Sequence, residues 1–329
     1  MKCIDLFCGC GGLSLGFQNA GFEILAAVDN WDKAFDVYRD NFDHDVILQD
    51  IRDELATAAI IKKYQPDLIM GGPPCQDFSS AGKRDETLGK ADLTYNFANI
   101  ICNLKPQFFV MENVERIKKS YIIQDIMRQF SLCGYGLTGV ILNAAYCGVP
   151  QSRNRFFLIG ELEGSNDAIT PIITRNLSNE KMTMRDYFGN SLGIKYYYRH
   201  PRNYNRRGIY SIDEPSPTVR GVNRPVPKGY HKHPGDPQSS DLATVRPLTT
   251  IERSYIQTFP KTFKFRGTKT NLEQMIGNAV PVNLANFAAR CITQYREEKS
   301  KGLRQTTLFE IDNSFKIPEK VIKPETLQN

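Results

Sequence analysis

The chain has 329 residues, of which 41% are hydrophobic and 24% are charged, and its formal net charge is +6. This length allows a large core and two domains, and the composition is typical of an ordinary soluble protein. No apolar window of about eighteen residues appears, and Asp5 and Cys8 interrupt the N-terminal apolar segment. We therefore expect neither a membrane span nor a signal peptide, and we expect a cytoplasmic location.

The first 160 residues alternate short apolar strands with amphipathic helices. Strands are predicted at residues 2–7, 23–28, 46–48, 68–70, 108–111, 136–142 and 155–160, and helices at residues 13–20, 33–41, 52–64, 93–104 and 121–133. Repeated strand–helix units predict an α/β fold, with a doubly wound, mostly parallel sheet covered on both faces. The last two strands have no helix between them, so one of them is expected to be an antiparallel edge strand.

The turn after the first predicted strand is rich in glycine, over residues 9–12. In an open α/β sheet a nucleotide-like cofactor is expected at this turn. The dinucleotide fingerprint requires glycine where Ser14 stands, so a nicotinamide or flavin cofactor is disfavoured. Asp29 ends the second strand and can bind ribose hydroxyls, with Trp31 beside it for a purine, and Asp50 ends the third strand. Together these features favour an adenosyl cofactor without a pyrophosphate.

The fourth predicted strand ends in the loop Gly-Gly-Pro-Pro-Cys-Gln, residues 71–76. Glycines let the backbone turn and prolines restrict φ, so this loop can present Cys75 as a thiolate nucleophile. A structural thiol after an ordinary Gly-Pro turn is the alternative for an isolated Pro-Cys pair. The surrounding motifs decide between the two.

The eight cysteines show no paired spacing and are expected to be mostly free thiols in a reducing compartment. Cys3, Cys8 and Cys10 lie close together in sequence, but they lack the two separated pairs of an ordinary zinc site. No metal is therefore predicted.

Residues 195–232 contain nine basic and two acidic residues, interleaved with tyrosines. This composition fits a nucleic-acid surface, because arginine neutralises phosphates and aromatic rings pack against sugars or bases. A solvated basic face is the alternative. Helical patterns return at residues 251–257 and 283–296, before a polar tail from residue 300. We predict a discontinuous catalytic domain, residues 1–166 and 270–329, and a smaller irregular target-recognition domain with its hinge, residues 167–269.

Six motifs in this order resemble those of the bacterial DNA (cytosine-5)-methyltransferases of type II restriction–modification systems. They lie at residues 5–12, 71–76, 112–114 (Glu-Asn-Val), 151–155 (Gln-Ser-Arg-Asn-Arg), 246–260 and 274–281. The resemblance covers about three quarters of the chain. It implies the fold of S-adenosylmethionine-dependent methyltransferases and methyl transfer to carbon 5 of a flipped cytosine in a specific short duplex sequence.

The resemblance also implies roles for five catalytic residues. Cys75 attacks carbon 6 of the cytosine, and Glu112 assists at ring nitrogen 3 and the exocyclic amine. Arg155 binds the carbonyl oxygen of the base. Arg153 anchors the same loop or a phosphate, and Asn113 orients the Pro-Pro-Cys loop or the glutamate.

The remaining site residues fall into two groups. The expected S-adenosyl-L-methionine contacts, with S-adenosyl-L-homocysteine as product, are Phe7, Gly9, Gly11, Gly12, Leu13, Asp29, Asn30, Trp31, Asp50, Ile51, Pro73, Asn278 and Val280. The expected DNA contacts are Ser79, Lys83, Arg84, Arg199, Arg202, Arg206, Arg207, Thr218, Arg220, Asn223, Arg224 and Lys228. Thr218 matches the position that the family places on the backbone of the flipped nucleotide.

The expected partner is double-stranded DNA, and the enzyme is expected to act as a monomer without a membrane. A cognate restriction endonuclease for the same site is plausible, without a direct complex. Two alternatives are a transfer-RNA cytosine-5 methyltransferase of the same fold and a non-catalytic DNA-binding protein. The stretch of about ninety residues between Arg155 and Arg246 favours a reader of duplex DNA.

Overall fold

The computed structural model describes residues 1–74, 92–203 and 205–302. Its strands are β1 (Lys2–Leu6), β2 (Glu23–Asp29), β3 (Asp45–Leu48), β4 (Leu68–Gly71), β5 (Phe108–Val114), β6 (Tyr135–Asn143), β7 (Gln151–Ser152), β8 (Asn154–Leu162), β9 (Tyr196–Tyr198), β10 (Ile209–Ser211), β11 (Ser216–Pro217) and β12 (Arg246–Pro247). Its α-helices are α1 (Gly12–Asn19), α2 (Asp32–Arg39), α3 (Glu54–Lys62), α4 (Asp92–Leu104), α5 (Tyr121–Leu132), α6 (Thr170–Asn176), α7 (Met184–Phe188), α8 (Thr250–Ile256), α9 (Lys269–Asn278) and α10 (Val282–Ser300). Among these described helices, none is long and apolar enough to cross a membrane.

The main sheet has seven strands in the order β3-β2-β1-β4-β5-β8-β6. The first five of these pair in parallel, and β8 is antiparallel to both β5 and β6. The predicted doubly wound, mostly parallel sheet is confirmed. One detail is corrected, since the strand that runs against the others is not at the edge. The chain returns from β6 through a short connection, which inserts β8 beside β5 and leaves β6 outermost.

Neighbouring residues of the central strands face opposite sides of the sheet, as strand geometry requires. In β5, Phe108 and Val110 pack into one core cluster and Phe109 into another, and Met70 and Ile69 of β4 divide in the same way. Side chains of α1, α6 and α10 complete the first cluster, and side chains of α4 and α5 complete the second. Helices therefore cover both faces, which explains why the strands read as continuous apolar runs.

Beyond the main sheet, β9 pairs with β10 and β12, and β11 pairs in parallel with β7. A third core cluster joins this region to the rest of the chain, because it contains Cys10, Tyr197, Val219 and Val282. Helix α6, which begins at Thr170, packs in the core cluster of α1 and α10. The core beside the main sheet thus extends past residue 166.

Two of the cysteines form a bond that the sequence spacing does not indicate. Helices α4 and α5 bring Cys102 and Cys133 together, with 5.7 Å between their Cα atoms, and the pair is a disulfide. Among the described residues this pair is the one exception to the prediction of mostly free thiols. Five other cysteines, Cys3, Cys8, Cys10, Cys147 and Cys291, are free and buried.

Candidate active site

The site lies where the carboxyl ends of β1, β2, β4 and β5 meet. The turn after β1 has a left-handed backbone, with φ of 61° at Phe7, 53° at Gly9 and 91° at Gly11. Glycine adopts this conformation at little cost, whereas the non-glycine Phe7 is an uncommon case that a folded environment must support. This glycine loop turns the chain sharply from β1 into α1.

The glycine loop is closed on one side and open on the other. A Cβ atom at Gly12 would collide with the carbonyl oxygen of Val280, but a Cβ atom at Gly9 would meet no atom within 4 Å. The Gly9 N–H donates to Asp29 Oδ2 over 2.7 Å, and the Trp31 N–H donates to Asp29 Oδ1 over 2.9 Å. Burial raises the pKa of Asp29, and these hydrogen bonds oppose the shift. The open side at Gly9, bordered by an acceptor, suits a ligand with ribose hydroxyls.

Ser14, which breaks the dinucleotide fingerprint, has a defined role below the glycine loop. Its hydroxyl donates to Asp5 Oδ2 over 2.5 Å and accepts from the Tyr38 hydroxyl over 2.7 Å. Tyr38 Oη also lies 2.7 Å from His44 Nε2. Asp5 is completely buried, and this desolvation raises the pKa of its carboxyl to about 7. A glycine at position 14 would leave this carboxyl without its partner.

The other predicted cofactor residues differ in exposure. Asp50 faces solvent and forms an ion pair with Arg52 at 2.5 Å, and a hydrogen bond from Asn30 also lowers the pKa of Asp50. Leu13 and Ile51 are buried in the core, so any contact they make with a cofactor would come from their backbone. Of three further predicted residues, Pro73 and Val280 are buried and Asn278 is exposed, and the Val280 carbonyl oxygen lies against Gly12 of the glycine loop.

Glu112 and Arg155 form the charged centre of the site. Arg155 Nε lies 2.9 Å from Glu112 Oε1, and the two side chains are 13% and 9% exposed. They come from the adjacent strands β5 and β8, which are antiparallel. Burial raises the pKa of Glu112, and the charges of Arg155 and Arg153 oppose that shift. Burial and the two guanidinium charges thus act in opposite directions on this carboxyl, and the net effect is a raised pKa, the direction that favours a proton donor.

The strand that leads to the predicted nucleophile ends directly against this pair. A Cβ atom at Gly72 would lie 3.3 Å from Glu112 Oε2, so any residue other than glycine would crowd the carboxylate. Asn113 Nδ2 donates to the Pro73 carbonyl oxygen over 3.2 Å. The backbone before Cys75 is thus held beside Glu112. Four predicted site residues, Cys75, Ser79, Lys83 and Arg84, lie outside the described residues.

Arg153 is buried, with 1% of its surface exposed. Its guanidinium donates to the carbonyl oxygens of Val219 over 3.0 Å and of Gly277 and Ala279 over 3.1 Å each. This position supports the loop-anchoring role rather than a phosphate contact, because phosphates of a duplex remain at the surface.

The predicted DNA-binding residues separate into two groups. Four of them are exposed: Arg202, Arg206, Arg224 and Lys228. Within the described ranges no carboxylate forms an ion pair with these four. Exposed cationic side chains without a carboxylate partner are suited to binding phosphates.

The other predicted residues of this region bond within the protein. Arg207 pairs with Glu214, and its guanidinium lies 4.1 Å from the ring centre of Tyr210. Asn223 Nδ2 donates to the Leu248 carbonyl oxygen over 2.7 Å. The remaining three, Arg199, Thr218 and Arg220, are half-buried and donate to the carbonyl oxygens of Thr218, Ser152 and His200 respectively.

Sequence reasoning missed two buried glutamines in this region. Gln151 and Gln257 are both 0% exposed, and Gln151 Nε2 donates to Gln257 Oε1 over 2.7 Å. The available signal for Gln257 was a polar residue directly after α8, between the apolar residues Ile256 and Phe259. Such a residue must find partners when it is buried.

Comparison with known proteins identifies the family of the chain. The family model described as C-5 cytosine-specific DNA methylase matches residues 1–294. The chain is 66% identical over 303 residues to the type II methyltransferase M.HindV of Haemophilus influenzae, covering 92% of this chain and 100% of that protein. It is 55% identical over 295 residues to the type II methyltransferase M.HgiDI of Herpetosiphon aurantiacus, covering 90% and 95% of the two chains.

Solved structures match the fold. The S. pombe Dnmt2 methyltransferase superposes with a TM-score of 0.66 at 18% sequence identity, covering 91% of this chain and 99% of that one. At this identity the match describes the shared α/β architecture.

Proposed function

Because the chain belongs to the C-5 cytosine-specific DNA methylases, and is thus a DNA (cytosine-5)-methyltransferase, we propose that S-adenosyl-L-methionine is its methyl donor and Cys75 its nucleophile. The observation that carries the proposal is the position of β4. Directly after its end, Gly72 lies against Glu112 and Pro73 accepts from Asn113, and these two residues precede Cys75 in the chain by three and two positions.

The chemistry assigns one task to each residue. Carbon 5 of cytosine is a poor nucleophile, so the Cys75 thiolate first forms a bond to carbon 6. Glu112 then donates a proton or a hydrogen bond to ring nitrogen 3, which accepts the electron density, and Arg155 binds the carbonyl oxygen. After methylation, loss of the carbon 5 proton and of the thiolate restores the aromatic ring.

The glycine loop would hold the cofactor. Its open side at Gly9, the Asp29 carboxylate and Trp31 fit an adenosyl group with free ribose hydroxyls and no pyrophosphate. When bound, S-adenosylmethionine supplies an electrophilic methyl group on a sulfonium centre. Asp50 lies at the neighbouring strand end, where its carboxylate could accept from an exocyclic amine.

The substrate in this proposal is a specific short sequence in double-stranded DNA. The exposed cations Arg202, Arg206, Arg224 and Lys228 would bind the phosphates, and the target cytosine would flip into the pocket beside Glu112. Two relatives are named type II methyltransferases, which supports a protective role beside a cognate restriction endonuclease. Action as a monomer in the cytoplasm completes the proposal. The division into residues 1–166 with 270–329 and residues 167–269 is kept except at its first boundary, which we place after α6 because that helix packs in the core cluster of α1 and α10.

Methyl transfer from tritiated S-adenosylmethionine to plasmid DNA and to transfer RNA tests this function. We expect label in DNA alone, and none with Cys75→Ser. A duplex with 5-fluorocytosine at the target should form a covalent adduct with the wild type but not with the serine variant. Label in transfer RNA alone would overturn the DNA assignment, and cofactor binding without transfer would indicate a non-catalytic DNA-binding protein. Full activity of Cys75→Ser would overturn the nucleophile.

A further inference from the structure

A chain of buried amide groups connects three separate segments of the protein. The Val219 N–H donates to Gln151 Oε1 over 2.9 Å, and Gln151 Nε2 donates to Gln257 Oε1 over 2.7 Å. Gln257 Nε2 in turn donates to the carbonyl oxygens of Ile276 over 2.6 Å and Ala279 over 2.9 Å. Gln257 therefore uses its amide as acceptor and donor at the same time.

Each end of this chain lies next to a part of the site. Val219 follows Thr218, the residue expected on the DNA backbone, and Thr218 itself donates to the Ser152 carbonyl oxygen over 3.0 Å. Ala279 precedes Val280, whose carbonyl oxygen packs against Gly12 of the glycine loop. The amide chain thus spans from the recognition segment to the cofactor segment.

The segments at both ends are also in direct contact. Gly277 packs against the backbone of Arg220 and Gly221 so closely that a Cβ atom would collide with it. Arg153 adds a second bridge, because it donates to Val219 on one side and to Gly277 and Ala279 on the other. A shift of either segment would strain the same set of buried hydrogen bonds.

Packing alone does not require an amide at position 257. Its neighbours in the chain and across the cluster, Ile256, Phe259, Met275 and Ile276, are apolar and buried. Burying an amide is costly unless its hydrogen bonds are made, and an apolar residue of the same size would avoid that cost. The amide does what an apolar side chain cannot, which is to fix the relative positions of three backbones.

We infer that Gln257 is a positioning residue that couples cofactor binding at the glycine loop to DNA binding at the 218–220 segment. The inference rests on the proposed function, since it assumes a cofactor at Gly9 and DNA at Thr218. When the cofactor fixes the 276–280 segment, Gln257 and Gln151 transmit that position to Val219. By thermodynamic linkage, DNA must then strengthen cofactor binding by the same factor.

The test measures the dissociation constant of a duplex with and without S-adenosylhomocysteine. The duplex carries the target site, which is located by bisulfite sequencing of a methylated plasmid. In the wild type, S-adenosylhomocysteine should tighten DNA binding by about 5-fold or more. In Gln257→Met this factor should fall towards one. The KM for DNA should rise in this variant, and saturating cofactor should not restore it.

Two further variants keep the test decisive. Gln151→Met removes the same hydrogen bond from its other end, so it tests the coupling even if Gln257→Met does not fold. The double variant should lose no more of the coupling factor than either single variant. Tyr135→Phe removes a buried hydrogen bond to the Pro106 carbonyl oxygen, 2.7 Å long, in the other core cluster. It should lower the melting temperature without changing the coupling factor.

The outcomes separate this inference from the proposed function. A wild type without coupling, or folded glutamine variants with the wild-type factor, would overturn the inference while methyl transfer to DNA persists. Equal loss of coupling in Tyr135→Phe would also overturn it, because general destabilisation would then be the cause. Failure of the proposed function would show instead as no methyl transfer by the wild type.

Discussion

Arg155 Nε lies 2.9 Å from Glu112 Oε1, so the carboxyl on β5 is held by an arginine from β8, the strand that runs against its neighbours. Both side chains are largely buried. A buried ion pair is stable only when the attraction between its two charges offsets the cost of removing both charges from water. The pair therefore sets the charge of the pocket in which the cytosine ring would be activated.

Glu112→Gln should lower kcat by about 10²–10⁴-fold, because the amide keeps the size of the side chain but cannot transfer a proton. Single-turnover methylation of DNA at saturating S-adenosylmethionine measures this loss. The dissociation constant of S-adenosylhomocysteine should stay near that of the wild type. A kcat within a factor of two of the wild type would contradict the role of Glu112 as the acid.

Arg155→Leu should shift the pH dependence of the remaining activity. The positive charge of Arg155 lowers the pKa of Glu112, so its removal raises that pKa further. The protonated carboxyl then persists to higher pH, and the alkaline limb of kcat should move upward. The rate at every pH should fall, since the carbonyl oxygen of the base loses its partner. An acid limb that moves upward, with activity increasing as Glu112 loses its proton, would show instead that the ionised form of Glu112 is required.

Asp5→Asn should flatten the dependence of stability on pH. Burial raises the pKa of Asp5 to about 7. The unfolded chain loses this proton near pH 4, so the folded state binds more protons between about pH 4 and pH 7, and stability falls as pH rises through that window. Urea denaturation at several pH values measures the slope. An unchanged slope in Asp5→Asn would contradict the raised pKa.

Gly12→Ala should weaken the cofactor site, since the new Cβ atom would collide with the backbone carbonyl of Val280. We expect a loss of about 1–3 kcal/mol in stability and a higher KM for S-adenosylmethionine. Gly139→Ala is the matched control, because its Cβ atom would lie 3.5 Å from the Phe156 ring, an ordinary contact. Equal effects of the two changes would argue against a specific contact at Gly12.

Arg202→Ala and Arg207→Ala should differ in kind. Arg202 is exposed, and its loss should weaken DNA binding and reduce the slope of log K against log salt by about one. Arg207 pairs with Glu214 and lies over Tyr210, so its loss should lower the melting temperature and leave the salt slope unchanged. Fluorescence anisotropy at several salt concentrations measures the slope. A reversed pattern would show that Arg207 binds the phosphates.

The sequence by itself determined the α/β class, the seven strands of the main sheet, seven of the described helices and the order of the motifs. Local sequence patterns were enough to locate these elements, because buried strands are continuous apolar runs and amphipathic helices repeat their apolar residues every three to four positions. The glycines at residues 9–12 and the Gly-Gly-Pro-Pro segment before Cys75 mark backbone turns that few other residues can make. A strand end followed by such a turn predicts a site without any long-range information.

Only the tertiary structure decided which side chains meet. The insertion of β8 beside β5, which brings Arg155 to Glu112, depends on strand pairing between distant segments. The same is true of the partners of Arg207, the burial of Arg153 and the hydrogen bonds of Gln257. An arginine that binds DNA and an arginine that binds a carbonyl look alike in sequence. Their difference arises from the neighbours that folding places within hydrogen-bond distance.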